Sequence, residues 1–245
     1  MTLNLAHRGF SGKYPENTMI AFQKAFEVGA DGIELDVQLT NDGTVVIFHD
    51  DTLERLTSSK GQLTNYTLEE LKSLSINSKG QEGLAEQKIP TLKEYFEWVQ
   101  DKNLLTNIEL KTVNGNDIGL EKKVLKMIKE YGLENQIIIS SFQKENMIRV
   151  KKLNATIQTG LLISKCTKQI IQKAKEIGMD YIHPNALSLN EELIEYANNY
   201  DLKINAWTIN EKLDLEKAVE VEINAIITDF PDRLKTIQDK GYVEI

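Results

Sequence analysis

The clearest pattern along the chain is a period-two alternation over residues 32–39, GIELDVQL. Its apolar positions are Ile33, Leu35, Val37 and Leu39, and its polar positions are Glu34, Asp36 and Gln38. Such alternation predicts a β-strand, in which the two acids lie ~6.6 Å apart on one face. They either face water or hold a cation, because burying unpaired carboxylates costs several kcal/mol each or keeps them protonated.

Patterns on either side of this strand predict further elements. Residues 3–6 are expected to form a short buried strand, and a helix is expected from Thr18 to about Val28, where Gly29 ends it. After residue 39 an Asp-Gly pair precedes a β-prone run at 45–48, which predicts a hairpin. Residues 52–88 are polar and turn-rich, with one short helix opened by a Thr67–Glu70 capping box. We expect residues 41–88 to form an insertion that walls one side of a site.

The rest of the chain alternates strands with helices. A capped helix is expected from Thr91 to about Lys102, followed by further strands at intervals of about 21 to 31 residues. Candidate N-caps are Asn190 and Asn210, and Pro231 suits a first helical turn. Those later strands are expected to begin near Leu105, Gln136, Ile157, Asp180, Lys203 and Asn224.

Together with the strands at residues 3 and 33 these make eight, which favours an α/β fold. The predicted architecture is a (β/α)8 TIM barrel over residues 1–245, a single domain with a small insertion after strand two. An open doubly wound sheet is the rival. It would be expected to carry a G-x-G-x-x-G turn after strand one, where this chain has HRGFSG.

Composition narrows the class of protein. The chain has 245 residues, 41% of them hydrophobic, enough for one barrel, and its net charge of −8 argues against nucleic acid as a partner. The single cysteine, Cys166, excludes an intramolecular disulfide and a zinc–thiolate cluster. The sequence has neither a signal-peptide pattern nor an apolar run of the ~18 residues that span a membrane, so we predict a cytoplasmic protein without a membrane anchor. Its oligomeric state stays open.

Polar residues collect where the predicted strands end, which in TIM barrels is where active sites lie. Residues 107–111, NIELK, repeat the alternation of residues 32–39, so Glu109 is expected to face the same interior as Glu34 and Asp36. Three carboxylates against Lys111 favour a hard divalent cation, magnesium or calcium, over zinc. The alternative is a polar layer in which Lys111 and Arg8 pair with the acids and no metal binds.

Two of the three histidines have positions suited to catalysis. His7 directly follows strand one, and His49 ends the hairpin arm that returns beside strand two, whereas His183 is interpreted as structural. Imidazoles act as acids and bases near neutral pH. With a hard cation and an arginine that grips phosphate oxygens, such a pair has the parts needed to cleave a phosphodiester.

These residues lie in motifs that resemble the glycerophosphodiester phosphodiesterase family over nearly the whole chain. The later matches are Leu53-x-Arg55, IELK at 108–111, AWT at 206–208 and ITDFPD at 227–232. The N-terminal matches are His7-Arg8-Gly9, Pro15-Glu16-Asn17-Thr18, Gly29-Ala30-Asp31-x-Ile33-Glu34-x-Asp36-Val37, Thr40-x-Asp42-Gly43 and Val45-Val46-x-x-His49-Asp50.

The resemblance implies a TIM barrel enzyme that hydrolyses glycerophosphodiesters, such as glycerophosphocholine or glycerophosphoethanolamine, to glycerol 3-phosphate and an alcohol. It implies His7 and His49 as the acid–base pair, with attack either by water or by the glycerol hydroxyl through a cyclic phosphate. The implied ligands of one calcium or magnesium ion are Glu34, Asp36 and Glu109, and the implied phosphate-binding residues are Arg8 and Lys111.

Several positions keep alternative interpretations. Trp207 forms either a wall of the substrate cleft or a packing contact, and Glu16 and Asn17 either cap the first helix or brace the arginine loop. The chain departs from the family pattern at Leu56 and around Ile223, neither of which touches a predicted catalytic group. A lysophospholipase D-like activity would need an apolar groove in the insertion, and a barrel that serves only as a scaffold would have lost a histidine or a carboxylate.

Overall fold

Parallel strands close into a barrel in the computed structural model, which describes residues 1–77 and 85–241. Within this described part the strands, in chain order, are β1 Leu3–His7, β2 Gly32–Leu39, β3 Val45–Ile47, β4 Leu105–Leu110, β5 Ile137–Ser141, β6 Gln158–Ile163, β7 Tyr181–Pro184, β8 Lys203–Ala206 and β9 Ala225–Thr228. β1 pairs with both β2 and β9, which closes the barrel, and β3 pairs antiparallel with β2 outside it. The predicted eight-stranded TIM barrel is therefore confirmed, as is the hairpin after strand two.

Helices follow the barrel strands as predicted. They are α1 Met19–Glu27, α2 Leu68–Ser73, α3 Leu92–Val99, α4 Leu120–Tyr131, α5 Lys144–Leu153, α6 Lys168–Glu176, α7 Glu191–Asn198, α8 Lys212–Glu220 and α9 Pro231–Gly241. The side chains of Thr18 and Asn190 cap α1 and α7, and both capping boxes, Thr67–Glu70 and Thr91–Glu94, are formed. In the described part of the chain, every helix is too short or too polar to cross a bilayer.

Two helix boundaries differ from prediction. α3 ends at Val99, three residues before Lys102, because the Lys102 amide turns back to bond the Val99 carbonyl at 2.9 Å. Asn210 does not cap α8, whose N-cap is Glu211. The Asn210 side chain instead accepts a hydrogen bond from the Asp229 amide at 2.9 Å and donates one to its carboxylate at 2.6 Å.

Strand register decides which way the acids of β2 face. Every residue of β2 is buried, so neither face of this strand meets solvent. Glu34 pairs with His7 on one side and Asn107 on the other, and Asp36 pairs with Glu109. Because paired residues of parallel strands point the same way, these polar side chains converge inside the barrel, while the alternate apolar side chains pack against the helices.

The segment between β2 and α3 has a small hydrophobic core of its own. The predicted insertion at 41–88 includes residues 78–84, which lie outside the described residues, as do residues 242–245 of the predicted single domain. We therefore retain the insertion and the single-domain organisation as proposals. The described core consists of Val46, Phe48, Leu53, Leu63, Leu71, Ile76 and Ile89, with Leu56, Tyr66, Leu68 and Leu74 packed against it.

Candidate active site

Three buried carboxylates form the centre of the site. One oxygen from each of Glu34, Asp36 and Glu109 lies within 4.8 Å of the other two. Lys111 Nζ lies 2.6 Å from Glu109 Oε1 and 3.2 Å from Asp36 Oδ1, and the Arg8 amide donates to Glu34 Oε2 at 3.0 Å. The acids of β2 thus belong to an interior cluster rather than to a solvated surface. The contacts of Lys111 with two of the acids are also those expected of a polar layer that binds no metal.

The charges of this cluster are incompletely balanced. Burial first, and then the charges of Asp36 and Glu109, raise the pKa of Glu34 well above its usual value. Burial and the charge of Asp36 likewise raise the pKa of Glu109 to about 7. Burial also disfavours ionisation of Asp36, but Lys111 and Arg8 outweigh it and hold the pKa of Asp36 far below its usual value.

The donor set fits a hard divalent cation. Carboxylate oxygens are ligands that calcium and magnesium favour, and a positive ion would relieve the repulsion that raises the pKa of two of these groups. Asp36 Oδ1 is buried, and its ion-pair contact with Lys111 Nζ at 3.2 Å does not meet hydrogen-bond geometry, so this oxygen retains capacity for a further ligand. The group formed by Glu34, Asp36 and Glu109 can therefore bind a metal ion.

Each of the two predicted histidines is paired with its own carboxylate. His7 Nδ1 lies 2.6 Å from Asp229 Oδ1, and its Nε2 lies 3.9 Å from Glu34 Oε2 in the acidic cluster. His49 Nδ1 lies 2.7 Å from Asp50 Oδ1, and burial, as the largest effect, lowers the pKa of His49 below its usual value. A carboxylate on Nδ1 leaves Nε2 as the nitrogen available for chemistry.

The partners of these carboxylates come from distant parts of the chain. Asp229 accepts hydrogen bonds from Ser11 Oγ at 3.0 Å and from Asn210 Nδ2 at 2.6 Å. Neutral groups therefore hold the partner of His7. Asp50 instead accepts from Arg55 Nε at 2.5 Å and from Nη2 at 2.9 Å. Sequence reasoning assigned none of these residues a role in the site: Asn210 was expected to cap a helix, and Asp229 and Arg55 were noted only as parts of motifs.

A chain of ion pairs joins the two sides of the site through Glu16. Its carboxylate accepts from Arg8 Nη1 at 2.7 Å and from Arg55 Nη1 and Nη2 at 2.7 and 2.8 Å. Asn17, in a left-handed conformation with φ of 56°, donates its Nδ2 to Asp36 Oδ2 at 2.8 Å. Glu16 thus braces the arginine loop, Asn17 orients an acid of the cluster, and Thr18 caps the helix.

The two histidines and two of the cluster acids line one cavity of about 260 Å3 at the carboxyl ends of the strands. Trp207 and Phe142 form one wall, with ring centroids 5.6 Å apart and planes at 85°, and Trp207 Nε1 donates to the His183 carbonyl at 2.7 Å. Asp36, only 1% exposed, lies behind the surface of the cavity. The cavity is lined by His7, Arg8, Glu34, His49, Asn107, Glu109, Lys111, Phe142, Leu162, Trp207 and Ile227.

Two other features lie apart from this site. A larger groove, of about 540 Å3, lies between α7 and α8, but neither histidine nor any cluster acid lines it, so we place the site in the smaller cavity. His183 is fully buried inside the barrel, where its Nε2 accepts from Asn205 at 3.2 Å and burial lowers its pKa to about 3. Cys166 is buried as well.

The fold and the site together define a class: (β/α)8 barrels whose cavity, at the carboxyl ends of the strands, holds an acidic cluster flanked by histidines and basic side chains. Comparison with known proteins identifies the family within that class. Residues 7–233 match the Glycerophosphoryl diester phosphodiesterase family. A glycerophosphodiester phosphodiesterase of Caldanaerobacter subterraneus subsp. tengcongensis is 41% identical over 240 residues, covering 98% of this chain and 99% of that protein.

Solved structures agree with this match. An Oleispira antarctica phosphodiesterase in complex with the product sn-glycerol-3-phosphate has a TM-score of 0.89 and 30% identity, with 96% of each chain covered. Glycerophosphodiester phosphodiesterase from Thermotoga maritima has a TM-score of 0.78 and 30% identity, with 97% of this chain and 98% of that chain covered. The chain belongs to the glycerophosphoryl diester phosphodiesterase family, and it is an enzyme of that activity, as the resemblance implied.

Proposed function

We propose that this enzyme hydrolyses glycerophosphodiesters, such as glycerophosphocholine and glycerophosphoethanolamine, to glycerol 3-phosphate and an alcohol. The observation that carries the proposal is the cavity itself, because both carboxylate-paired histidines line it beside the acidic cluster. The product bound to the Oleispira relative supports glycerol 3-phosphate as the product here.

Glu34, Asp36 and Glu109 would hold one calcium or magnesium ion, which neutralises and orients the phosphate when it is bound. Arg8 and Lys111 would bind the phosphate oxygens from the cavity wall. Their side chains are 17% and 16% exposed, and both are already held by carboxylates, so they present positive charge with little freedom to move. Such prearranged charges stabilise an anion better than mobile ones.

His7 and His49 would act as the acid–base pair. Asp229 and Asp50 fix the two imidazoles through Nδ1 and stabilise them when they carry a proton. One histidine removes a proton from the nucleophile, and the other donates a proton to the departing alkoxide oxygen. The nucleophile is either water or the substrate's own glycerol hydroxyl, which would give a cyclic phosphate first.

Trp207 would form a wall for the alcohol head group together with Phe142, whose side chain is 41% exposed. Aromatic faces attract quaternary ammonium groups such as that of choline. The lysophospholipase D alternative has less support, because the described apolar side chains that could line such a groove pack into a core of their own; they are Leu53, Leu56, Leu63, Tyr66 and Leu68. A scaffold without activity is disfavoured, since every implied catalytic and metal-binding residue is present.

The test is release of glycerol 3-phosphate from glycerophosphocholine by the purified protein. We expect EDTA to stop the reaction and added calcium or magnesium to restore it. A panel of head groups and lyso-lipids, assayed with each metal, should favour the glycerophosphodiesters. Activity that is indifferent to chelation would contradict the metal assignment, and preferential cleavage of lyso-lipids would favour the alternative.

A further inference from the structure

The cavity contains one polar side chain that the proposed chemistry does not use. Asn107 lies on β4, in register with Glu34 and two residues before Glu109, and its side chain is directed into the barrel. It lines the cavity and is 1% exposed. Neither its Oδ1 nor its Nδ2 has a hydrogen-bond partner among the described residues.

This lack of partners sets Asn107 apart. Within the described part of the chain, each of the other buried asparagines has at least one side-chain hydrogen bond; they are Asn4, Asn17, Asn146 and Asn205. An unsatisfied buried amide costs stability, whereas an apolar residue of the same shape would not. Buried polar groups that are left unpaired in a cavity are typical of ligand-binding positions.

The chemistry of an amide restricts what it can bind. A cation needs only acceptors, a phosphate oxygen needs only donors, and a trimethylammonium group takes no hydrogen bond. A hydroxyl is both donor and acceptor, as is the Asn107 amide. The basic groups and the acidic cluster already account for the phosphate, and two other residues that line the cavity, Leu162 and Ile227, offer no polar side chain.

We propose that Asn107 binds the glycerol moiety of the substrate, with Nδ2 donating to a glycerol hydroxyl and Oδ1 accepting from the same or the vicinal one. This inference rests on the proposed function and adds to it a residue that distinguishes the glycerol end from other phosphodiesters. A pocket that hydrogen-bonds a hydroxyl discriminates strongly against ligands that lack it, because its own polar groups are then left unpaired.

The decisive variant is Asn107→Leu, which keeps the shape and removes both amide groups. Binding of sn-glycerol 3-phosphate and of inorganic phosphate to the calcium-loaded protein is compared by calorimetry. We expect the affinity for glycerol 3-phosphate to fall about 10- to 100-fold and that for inorganic phosphate to change less than about 3-fold. The melting temperature of the variant should equal or exceed that of the wild type, because two unsatisfied groups have been removed.

Ser140→Ala is the matched control. It also removes a buried, unpartnered polar atom from a barrel strand, on β5 next to Glu109 in register, but Ser140 does not line the cavity. It should leave both affinities unchanged. The inference would be overturned if Asn107→Leu lowered the affinity for both ligands equally or left the affinity for glycerol 3-phosphate unchanged. It would also be overturned if the wild-type protein bound the two ligands equally. Failure of the wild type to hydrolyse glycerophosphocholine would instead refute the proposed function.

Discussion

Arg55 connects the two sides of the candidate site, and its removal should change the protonation of His49. Its guanidinium binds Asp50, the partner of His49, and also Glu16, the partner of Arg8. Burial disfavours ionisation of Asp50, but the hydrogen bonds from Arg55 and His49 outweigh it and lower the pKa of Asp50. In an Arg55→Met variant the imidazole alone would face this carboxylate, so we predict that the pKa of His49 rises.

The size of the effect follows from the geometry. Arg55 and His49 bind the same carboxylate at 2.5 and 2.7 Å, which puts their charges roughly 6 Å apart. At effective dielectric constants of about 40 to 80, this repulsion amounts to about 0.7–1.4 kcal/mol, or about 0.5–1 pKa unit. The Arg55 side chain is 45% exposed, so screening favours the lower end, and the loss of stability should stay below about 1 kcal/mol.

The assay is the pH dependence of kcat/KM for glycerophosphocholine from about pH 5 to 9. One limb should move to higher pH by about 0.5–1 unit in Arg55→Met: the acidic limb if His49 is the base, and the alkaline limb if it is the acid. Arg55→Lys keeps the positive charge but loses the branched guanidinium that binds two carboxylates at once. Both limbs of its pH profile should therefore stay near those of the wild type, while its kcat/KM falls. Wild-type limbs and rates in Arg55→Met would show that Arg55 is only a surface ion pair.

Three further predictions test the chemistry, the metal and the fold. His7→Ala and His49→Ala should each lower kcat by ~10²–10⁴-fold in the glycerol 3-phosphate assay at an unchanged melting temperature, and retained activity would remove that residue from the mechanism. The pKa of Glu109 is raised from 4.5 to about 7 in the folded, metal-free protein. The stabilisation that comes from its protonated form is therefore fully present below about pH 4.5 and is lost as the pH rises through 7. Calcium should therefore raise the melting temperature more at pH 8 than at pH 6, and equal shifts would argue against binding at this carboxylate. A Cβ at Gly160 would clash with His183 Nε2, so Gly160→Ala should lower the free energy of unfolding by about 1–3 kcal/mol. A denaturant titration measures this change, and an unchanged midpoint would refute the packing argument.

The barrel and the acidic cluster could be predicted because both follow from local periodicity. Alternation in residues 32–39 and 107–111 determines which side chains share a face, and adjacency of consecutive barrel strands then brings Asp36 and Glu109 into register. Capping signals work for the same reason, since Thr67 and Thr91 each bond a residue three positions later. These inferences need no knowledge of how distant side chains are oriented.

The supporting contacts of the site could not be predicted in this way, because they join residues far apart in the chain. His7 and Asp229 are separated by 222 residues and Glu16 and Arg55 by 39, and no periodic pattern links either pair. Asn210 shows how a local rule fails: it resembles a helix cap, but its amide binds both the backbone and the carboxylate of Asp229. Tertiary hydrogen bonds took precedence there over the capping preference.

These distant contacts make the two histidine–carboxylate pairs unequal. Asp50 shares its negative charge with the guanidinium of Arg55, whereas Asp229 is held by the neutral groups of Ser11 and Asn210. A carboxylate that is also bound by a cation stabilises a neighbouring imidazolium less, which favours the neutral form of His49 that can accept a proton. This asymmetry favours His49 as the base and His7 as the acid. It therefore predicts that the acidic limb is the one that moves in Arg55→Met.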